Sequence, residues 1–307
     1  MFRRLGIVSV ATMLALATGG GTAAAVTDPD PYTREKAQRA VLDVAHRGAS
    51  AYAPENTLAA IDVAADIGAT AVEIDVQRSK DGHLVVIHDT TLSRTTDVEK
   101  RFPGRAPYNV RDFTLSEIKQ LDAGSWFGSE YAGAEVPTLQ EALDLLAYHR
   151  RNLLLEIKSP VLYPGIESDI ARTMRDNPYW LLPSGRKSAN RLVIQSFDRD
   201  SVKRSKKILK HVPHGILGRV DEDDIDRYGS WADMINPNHT TINASYVRKV
   251  HAAGMHVVTY TLNERDEMRR AIRMGVDGII SDRPDVLADV IAEERSAEER
   301  ETAPVLP

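Results

Sequence analysis

Short apolar runs alternate with helix-spaced stretches along most of the chain. The β-like runs are Leu42–Ala45, Ala71–Val76, Leu84–Ile87, Leu153–Ile157, Arg191–Ile194, His214–Leu217, His256–Tyr260 and Asp277–Ile280. Between them, apolar positions recur at the spacing of amphipathic helices. Asn56 is placed to cap a helix over Thr57–Ile67 that Gly68 stops, Thr138 to cap LQEALDLLAY, and Glu264–Met274 ends before Gly275. Eight strands alternating with helices predict a TIM-type (β/α)8 barrel. A doubly wound open sheet would carry a glycine-rich phosphate loop after its first strand, and no G-x-G-x-x-G follows Ala45. The rhythm breaks once. The stretch from Asp89 to Pro137 is rich in turn formers and contains GSWFGSEYAG. It predicts a loop insertion, about 90–137, between the third strand and its helix, lying over the barrel mouth. Ile235-Asn236-Pro237-Asn238 is a further short extended piece with no place among the eight.

Within a strand, residues i and i+2 share a face. In EIDVQ, Val72, Ile74 and Val76 then face the helices while Glu73 and Asp75 face the barrel interior. In LLLEIKS, two strands further on, Glu156 and Lys158 face inward. Carboxylates crowded on one inward face repel and are costly to desolvate. A bound cation removes both penalties, and an oxygen-rich set suits Ca²⁺ or Mg²⁺. A polar barrel core in which Lys158 neutralises Glu156 is the competing explanation. His46 and His88 each follow an apolar run and precede a polar turn, the place where barrel enzymes put reactive groups. Two imidazoles supply one general base and one general acid near neutral pH. Arg47, with Gly48 freeing the backbone beside it, can grip a phosphate bidentately or simply form a surface salt bridge. The remaining histidines, His83, His149, His211, His214, His239, His251 and His256, lack such settings and read as surface or core.

Composition narrows the chemistry. At 307 residues, 42% hydrophobic and 27% charged, the chain is globular and suits one large domain with tails or two ordinary domains. The absence of cysteine excludes disulfides, thiolate zinc sites and a cysteine nucleophile. At the N-terminus, Arg3 and Arg4, the apolar stretch Leu5–Ala17 and the small residues Ala23–Ala25 form the pattern of a secretory signal peptide (1–25) cleaved near Ala25. A leader segment (26–40) follows, then the barrel domain (41–291) and a charged tail (292–307) whose part Ala292–Glu301 reads as a fraying helix. The expectation is a secreted or extracytoplasmic protein with no stable membrane insertion after cleavage. Loss of Arg3 and Arg4 makes the net charge of −5 more negative still, which argues against nucleic acid as a partner.

Six segments in order, HRGASAYAPENT (His46–Thr57), EIDVQRSKDGHLVVIHD (Glu73–Asp89), PTLQEAL (Pro137–Leu143), LLLEIK (Leu153–Lys158), IQSF (Ile194–Phe197) and GVDGIISDRP (Gly275–Pro284), resemble the glycerophosphodiester phosphodiesterase family. The resemblance covers about residues 42 to 290. It implies a TIM-type barrel, one divalent cation, and hydrolysis of small-molecule glycerophosphodiesters to sn-glycerol 3-phosphate and an alcohol. It places the metal on Glu73, Asp75 and Glu156, and the acid/base pair on His46 and His88. Phosphate contacts fall on Arg47 and Lys158, and substrate contacts on Gln195, Phe197 and Tyr260. Glu55 and Asn56 would stand behind, holding His46 and the metal site. Extracellular supply favours Ca²⁺ over Mg²⁺. The family often has W-T-V-N where this chain has Tyr260-Thr261-Leu262-Asn263, so Tyr260 would wall the glycerol or alcohol pocket less broadly than Trp. A sphingomyelinase D-like phospholipase shares the barrel and the two histidines; Trp126 and Phe127 in the insertion leave room for it. A phosphatidylinositol phospholipase C relative commonly replaces the metal with arginine, and three carboxylates argue against it. A metal amidohydrolase would want H-x-H on the first strand. A non-catalytic barrel binding an anionic wall polymer would be signalled by loss of a histidine or carboxylate, and none is lost.

Overall fold

The computed structural model of the protein describes residues 41–182 and 190–302. The signal-peptide and leader segments, the cleavage position near Ala25 and residues 303–307 lie outside the described residues. One sheet contains nine strands, β1 (Leu42–Ala45), β2 (Ala71–Arg78), β3 (Leu84–Val86), β4 (Asn152–Ile157), β5 (Leu192–Ser196), β6 (His214–Leu217), β7 (Met234–Asn236), β8 (His256–Thr259) and β9 (Gly278–Ser281). All but β3 run parallel, and β1 pairs with both β2 and β9, which closes an eight-stranded barrel. Helices α1 (Leu58–Ile67), α2 (Leu139–Tyr148), α3 (Ile166–Asp176), α4 (Arg199–Ile208), α5 (Ile225–Gly229), α6 (Ala244–Ala252), α7 (Arg265–Met274) and α8 (Pro284–Thr302) follow the barrel strands in turn. The TIM-type barrel read from the alternation is the fold observed.

Two strand assignments change. The run at Leu84 is no barrel strand, because β3 pairs antiparallel with β2, Val76 opposite Val86 and Arg78 opposite Leu84. The short connection Ser79–His83 permits only a hairpin, since parallel neighbours need a crossover of about a dozen residues or more. The unplaced piece at Ile235 supplies the missing strand: β7 sits between β6 and β8. The insertion therefore begins with a hairpin on β2 and ends at α2. It has an apolar core of its own, built on Leu92, Val98, Val110, Phe113, Ile118 and Leu121.

Alternation decides what each face buries. Val72, Ile74 and Val76 of β2 pack with Ile61 and Ala64 of α1 between barrel and helices. Val44, Ala71, Leu154, Met234, Val258 and Ile280 fill the barrel interior. That interior is apolar at the base and polar at the C-terminal ends of the strands. Caps set the helix starts. Thr57, not Asn56, caps α1, accepting from the Ala60 amide, and Gly68 ends it in the left-handed region. Asn56 is displaced from capping because its side chain is used elsewhere. Thr138 caps α2 with a reciprocal Glu141 capping box. The charged run at Ala292 is helical to Thr302, and its first turn is docked. Glu293 receives Arg265 and Arg269, and Glu294 receives Arg273. Among the described residues no helix is long and apolar enough to cross a membrane.

Candidate active site

Three carboxylates meet at the C-terminal end of the barrel. Glu73 and Asp75 project from β2, and Glu156 projects from β4, whose register sets it directly beside Asp75. β4 is thus the immediate neighbour of β2, not two strands away, because β3 stands outside the barrel. One oxygen from each carboxylate lies within 4.8 Å of the others, and the residues are 2%, 1% and 6% exposed. Burial, with the charges of Asp75 and Glu156, pushes the Glu73 carboxyl well above its ordinary value. Burial and Asp75 push Glu156 up to about 8. Burial would raise Asp75 as well, but Lys158, Arg47, His88 and the Asn56 hydrogen bond outweigh it and hold that group ionised. Lys158 Nζ lies 2.9 Å from Glu156 Oε1 and 3.4 Å from Asp75 Oδ1. The pairing of Lys158 with Glu156 is therefore real, yet with Arg47 Nε 3.4 Å from Asp75 Oδ2 it brings only two positive charges to three carboxyls. Asp75 Oδ1 is buried with no hydrogen bond. An oxygen without a hydrogen bond, two carboxyls raised by burial and mutual repulsion and an all-oxygen donor set fit a divalent cation.

Each candidate histidine has a carboxylate behind it. His46 Nδ1 is 2.6 Å from Asp282 Oδ1, and His88 Nδ1 is 2.6 Å from Asp89 Oδ1. A hydrogen bond from Nδ1 to a carboxylate fixes the ring and leaves Nε2 for proton exchange. Asp282 is in turn held by Ser50 at 2.9 Å and Asn263 at 2.7 Å. Burial opposes it, but the bonds from His46, Asn263 and Ser50 take the Asp282 carboxyl down to about 2. Arg94 is the main cause that brings Asp89 to about 2. Burial, helped by Arg47 and Lys158, lowers the His88 imidazole despite the pull of Asp75 and Asp89.

The loop after β1 places Arg47 by a strained backbone. Arg47 has φ 54° and Gly48 φ 83°. A Cβ on Gly48 would stand 2.6 Å from the Ala60 backbone, so only glycine fits against α1. The Arg47 amide donates to Glu73 at 3.0 Å and its guanidinium to Glu55 at 2.9 Å. Glu55 also takes Arg94, which spans to Asp89. Glu55 therefore steadies the two arginines; His46 is held by Asp282 instead. Asn56, at φ 57°, donates to Asp75 at 2.8 Å and accepts the Asp75 amide at 3.1 Å, so it orients the carboxylate cluster.

One cavity of about 230 Å³ gathers His46, Arg47, Glu73, His88, Glu156 and Lys158. Gln195, Phe197 and Tyr260 line the same cavity. Gln195 is buried beside Glu156, and its Oε1 accepts from Asn236 at 2.7 Å. Phe197 is half-exposed at the rim and meets Tyr260 edge-on at 6.0 Å. A second cavity of about 360 Å³ adjoins at His46 and Arg47; Ser50, Glu55, Asn263, Glu264, Asp282 and Arg283 line it, with no Phe, Tyr or Trp. Trp126 is 42% exposed, its indole N–H donates to Ala123 O, and it packs edge-on against Phe127. Phe127 meets Tyr131, whose hydroxyl donates to Tyr52 O at 2.7 Å, so this trio ties the insertion to the β1–α1 loop.

Sequence reasoning missed Asp282, Asp89 and Arg94. Asp89 was legible as the neighbour of His88. Asp282 follows β9, and its nearness to His46 comes only from barrel closure, Ala45 opposite Ser281. The chain matches the model of the glycerophosphoryl diester phosphodiesterase family over residues 46–286. It is 38% identical over 254 residues to a glycerophosphodiester phosphodiesterase of Caldanaerobacter subterraneus subsp. tengcongensis, covering 81% of this chain and 97% of that one. Among solved structures it is similar to an Oleispira antarctica phosphodiesterase in complex with the product sn-glycerol-3-phosphate, with TM-score 0.70, 30% identity and coverage of 81% and 96%. A glycerophosphodiester phosphodiesterase of Agrobacterium tumefaciens gives TM-score 0.65, 29% identity and coverage of 81% and 99%.

Proposed function

The chain belongs to the glycerophosphoryl diester phosphodiesterase family and is a glycerophosphodiester phosphodiesterase, and from that premise we propose that it releases sn-glycerol 3-phosphate and an alcohol by metal-dependent catalysis with His46 and His88 as the acid/base pair. The observation that carries this reading is the placement of two carboxylate-backed imidazoles around a buried trio of acids, with Arg47 and Lys158 in the same cavity. Glu73, Asp75 and Glu156 would hold the cation. Bound there, it supplies Lewis-acid stabilisation of the charge that grows on the phosphoryl oxygens.

The chain's own residues do the rest. Arg47 and Lys158 hold the phosphate and share its developing charge. Water attacks in line, or the vicinal glycerol hydroxyl does so to give a cyclic phosphate that water then opens with the roles of the two rings reversed. In the first displacement one imidazole takes the proton of the attacking hydroxyl at Nε2 while the other gives a proton to the departing alcohol oxygen. Asp282 and Asp89 keep both rings in the tautomer that leaves Nε2 available and stabilise whichever becomes imidazolium. Phe197 and Tyr260 wall the glycerol side. Arg47→Lys keeps the charge but loses the planar fork that matches phosphate. It lowers kcat/KM about 30-fold, on the order of 2 kcal/mol. A steady-state assay that finds less than a twofold change would remove Arg47 from the phosphate site.

The cavity beyond His46 is where the alcohol leaves. Recognition of a quaternary ammonium leans on aromatic faces. Beyond His46 and Arg47 the polar lining here is Ser50, Glu55, Asn263, Glu264, Asp282 and Arg283, with no Phe, Tyr or Trp, and Glu55 and Asp282 are already engaged by arginine and histidine. Hydroxyl-rich alcohols suit that wall better. Glycerophosphoglycerol and glycerophosphoinositol are therefore turned over with higher kcat/KM than glycerophosphocholine, by about tenfold, the worth of one or two added hydrogen bonds. A preference for the choline ester in a side-by-side assay would contradict this placement. The N-terminal pattern of Arg3, Arg4, Leu5–Ala17 and Ala23–Ala25 supports export, and with it use of Ca²⁺ in preference to Mg²⁺. Mass determination of the secreted chain, with cleavage expected near Ala25, tests that part.

A further inference from the structure

The last inward residue of β2 has no part in the scheme above. Gln77 follows Glu73 and Asp75 at the same alternation, and it is 0% exposed. Its Nε2 donates to three successive carbonyls, Ile87 O at 2.9 Å, His88 O at 3.0 Å and Asp89 O at 2.7 Å. Carbonyl oxygens only accept, so they dictate which way the amide points. With two N–H groups for three acceptors, at least one is shared. The other end of the amide is fixed as well: Gln77 Oε1 accepts from the Tyr163 hydroxyl at 2.7 Å, and Tyr163 is 2% exposed.

The segment that Gln77 grips is the one that carries His88. Beyond β3 it has left the hairpin ladder, and its last backbone link to β2 is the Ile87 amide on Asp75 O at 2.9 Å. Farther on lies the insertion. Apart from Gln77, the His88–Asp89 backbone is anchored at its flanks, by the Ile87 amide on Asp75 O at 2.9 Å and the Val110 amide on Thr90 O at 3.0 Å, and the Asp89 side chain is met by the 44%-exposed Arg94. We propose that Gln77, oriented by the Tyr163 hydroxyl, is a positioning residue that fixes the His88–Asp89 backbone, so that the imidazole stands where proton transfer requires it. The proposal rests on the assignment of His88 to the acid/base pair. A displacement of about 1 Å in a reacting group costs on the order of 10²-fold in rate, whereas phosphate binding through Arg47 and Lys158 is untouched.

Gln77→Met keeps the length and volume of the side chain and removes both donors. Its expected effect is a fall in kcat of about 10²-fold with KM within twofold. Tyr163→Phe leaves the ring in place and frees the amide; kcat falls about tenfold. A residue that acts only through His88 has nothing left to act on once the imidazole is gone. Gln77→Met in a His88→Ala background should therefore leave the residual rate of the single His88→Ala variant unchanged within twofold. A role limited to stability would lower both backgrounds equally. A Gln77→Met kcat within threefold of wild type, a loss carried by KM, or a full further loss in the His88→Ala background overturns the proposal. Should Gln77→Met not fold, Tyr163→Phe decides by the same criteria. Wild-type rates in His88→Ala itself would instead overturn the assignment of His88 on which this rests.

Discussion

Replacing His46 or His88 by alanine lowers kcat about 10³-fold, within the range general acid–base groups contribute, while the protein stays folded and still takes up its cation. Neither ring is needed for the fold. Both line the cavity, both are partly exposed, and each is bonded through Nδ1 to a carboxylate at the rim. The expected pattern is a loss in kcat with little change in KM, because proton transfer matters in the transition state and not in binding. The two losses do not add: when one member of the pair is gone, the other has no concerted step to join. Steady-state kinetics of the two single variants and the double variant, with metal binding measured by calorimetry, gives the answer. Turnover within tenfold of wild type in either single variant would remove that histidine from the reaction.

Stripping the cation abolishes turnover and also loosens the fold in a pH-dependent way. In the metal-free chain, burial and mutual repulsion raise Glu73, and Glu156 to about 8. A carboxyl raised on folding contributes stability that is complete below its unfolded value and is lost as pH climbs through its folded one. Lowered His88 acts in the opposite sense, but only up to its unfolded value near 6.5. Between pH 6.5 and about 8 the acids are therefore left as the dominant site groups, and the metal-free protein loses stability with rising pH. A divalent cation reverses this, since it binds the ionised carboxylates. Thermal melting should show Ca²⁺ or Mg²⁺ raising Tm more at pH 8 than at pH 5.5. Asp75→Asn, which keeps the shape and removes one ligand charge, should abolish most of that increment along with turnover. A cation-induced rise that is equal at both pH values, or that survives Asp75→Asn, would place the ion elsewhere.

Much of this site was legible because period-two alternation is a strong signal. EIDV divides into an apolar and an acidic face, and LLLEIK sets Leu153, Leu155 and Ile157 against the helices and Leu154 and Glu156 inward; the structure keeps both divisions. The barrel has the eight strands expected, but apolar content misassigns one of them. Leu84–Ile87 looks more like a buried strand than Met234–Asn236, which is three residues long and runs into Pro237. Yet the short Ser79–His83 link can only make a hairpin, and connection length decides the pairing where apolar content does not. Asn56 shows a different limit. Asn-Thr offers two possible caps, and the choice depends on Asp75, nineteen residues away, claiming the Asn56 side chain. The links from Asp282 to His46 and from Arg94 to Glu55 are set by barrel closure and by the folded insertion, neither of which leaves a local pattern in sequence. Gln77 lay in view within EIDVQ, but an amide at an inward position has no meaning until the backbone it grips is seen.

The central claim is that the carboxylate trio and the histidine pair form one metal-dependent phosphodiesterase centre. Its most direct test is release of sn-glycerol 3-phosphate from glycerophosphoglycerol by the purified chain, first after EDTA treatment and then with Ca²⁺ or Mg²⁺ restored. The account predicts no release after EDTA and recovery with added cation. Release that EDTA leaves undiminished, or none with either ion at high enzyme concentration, would contradict it.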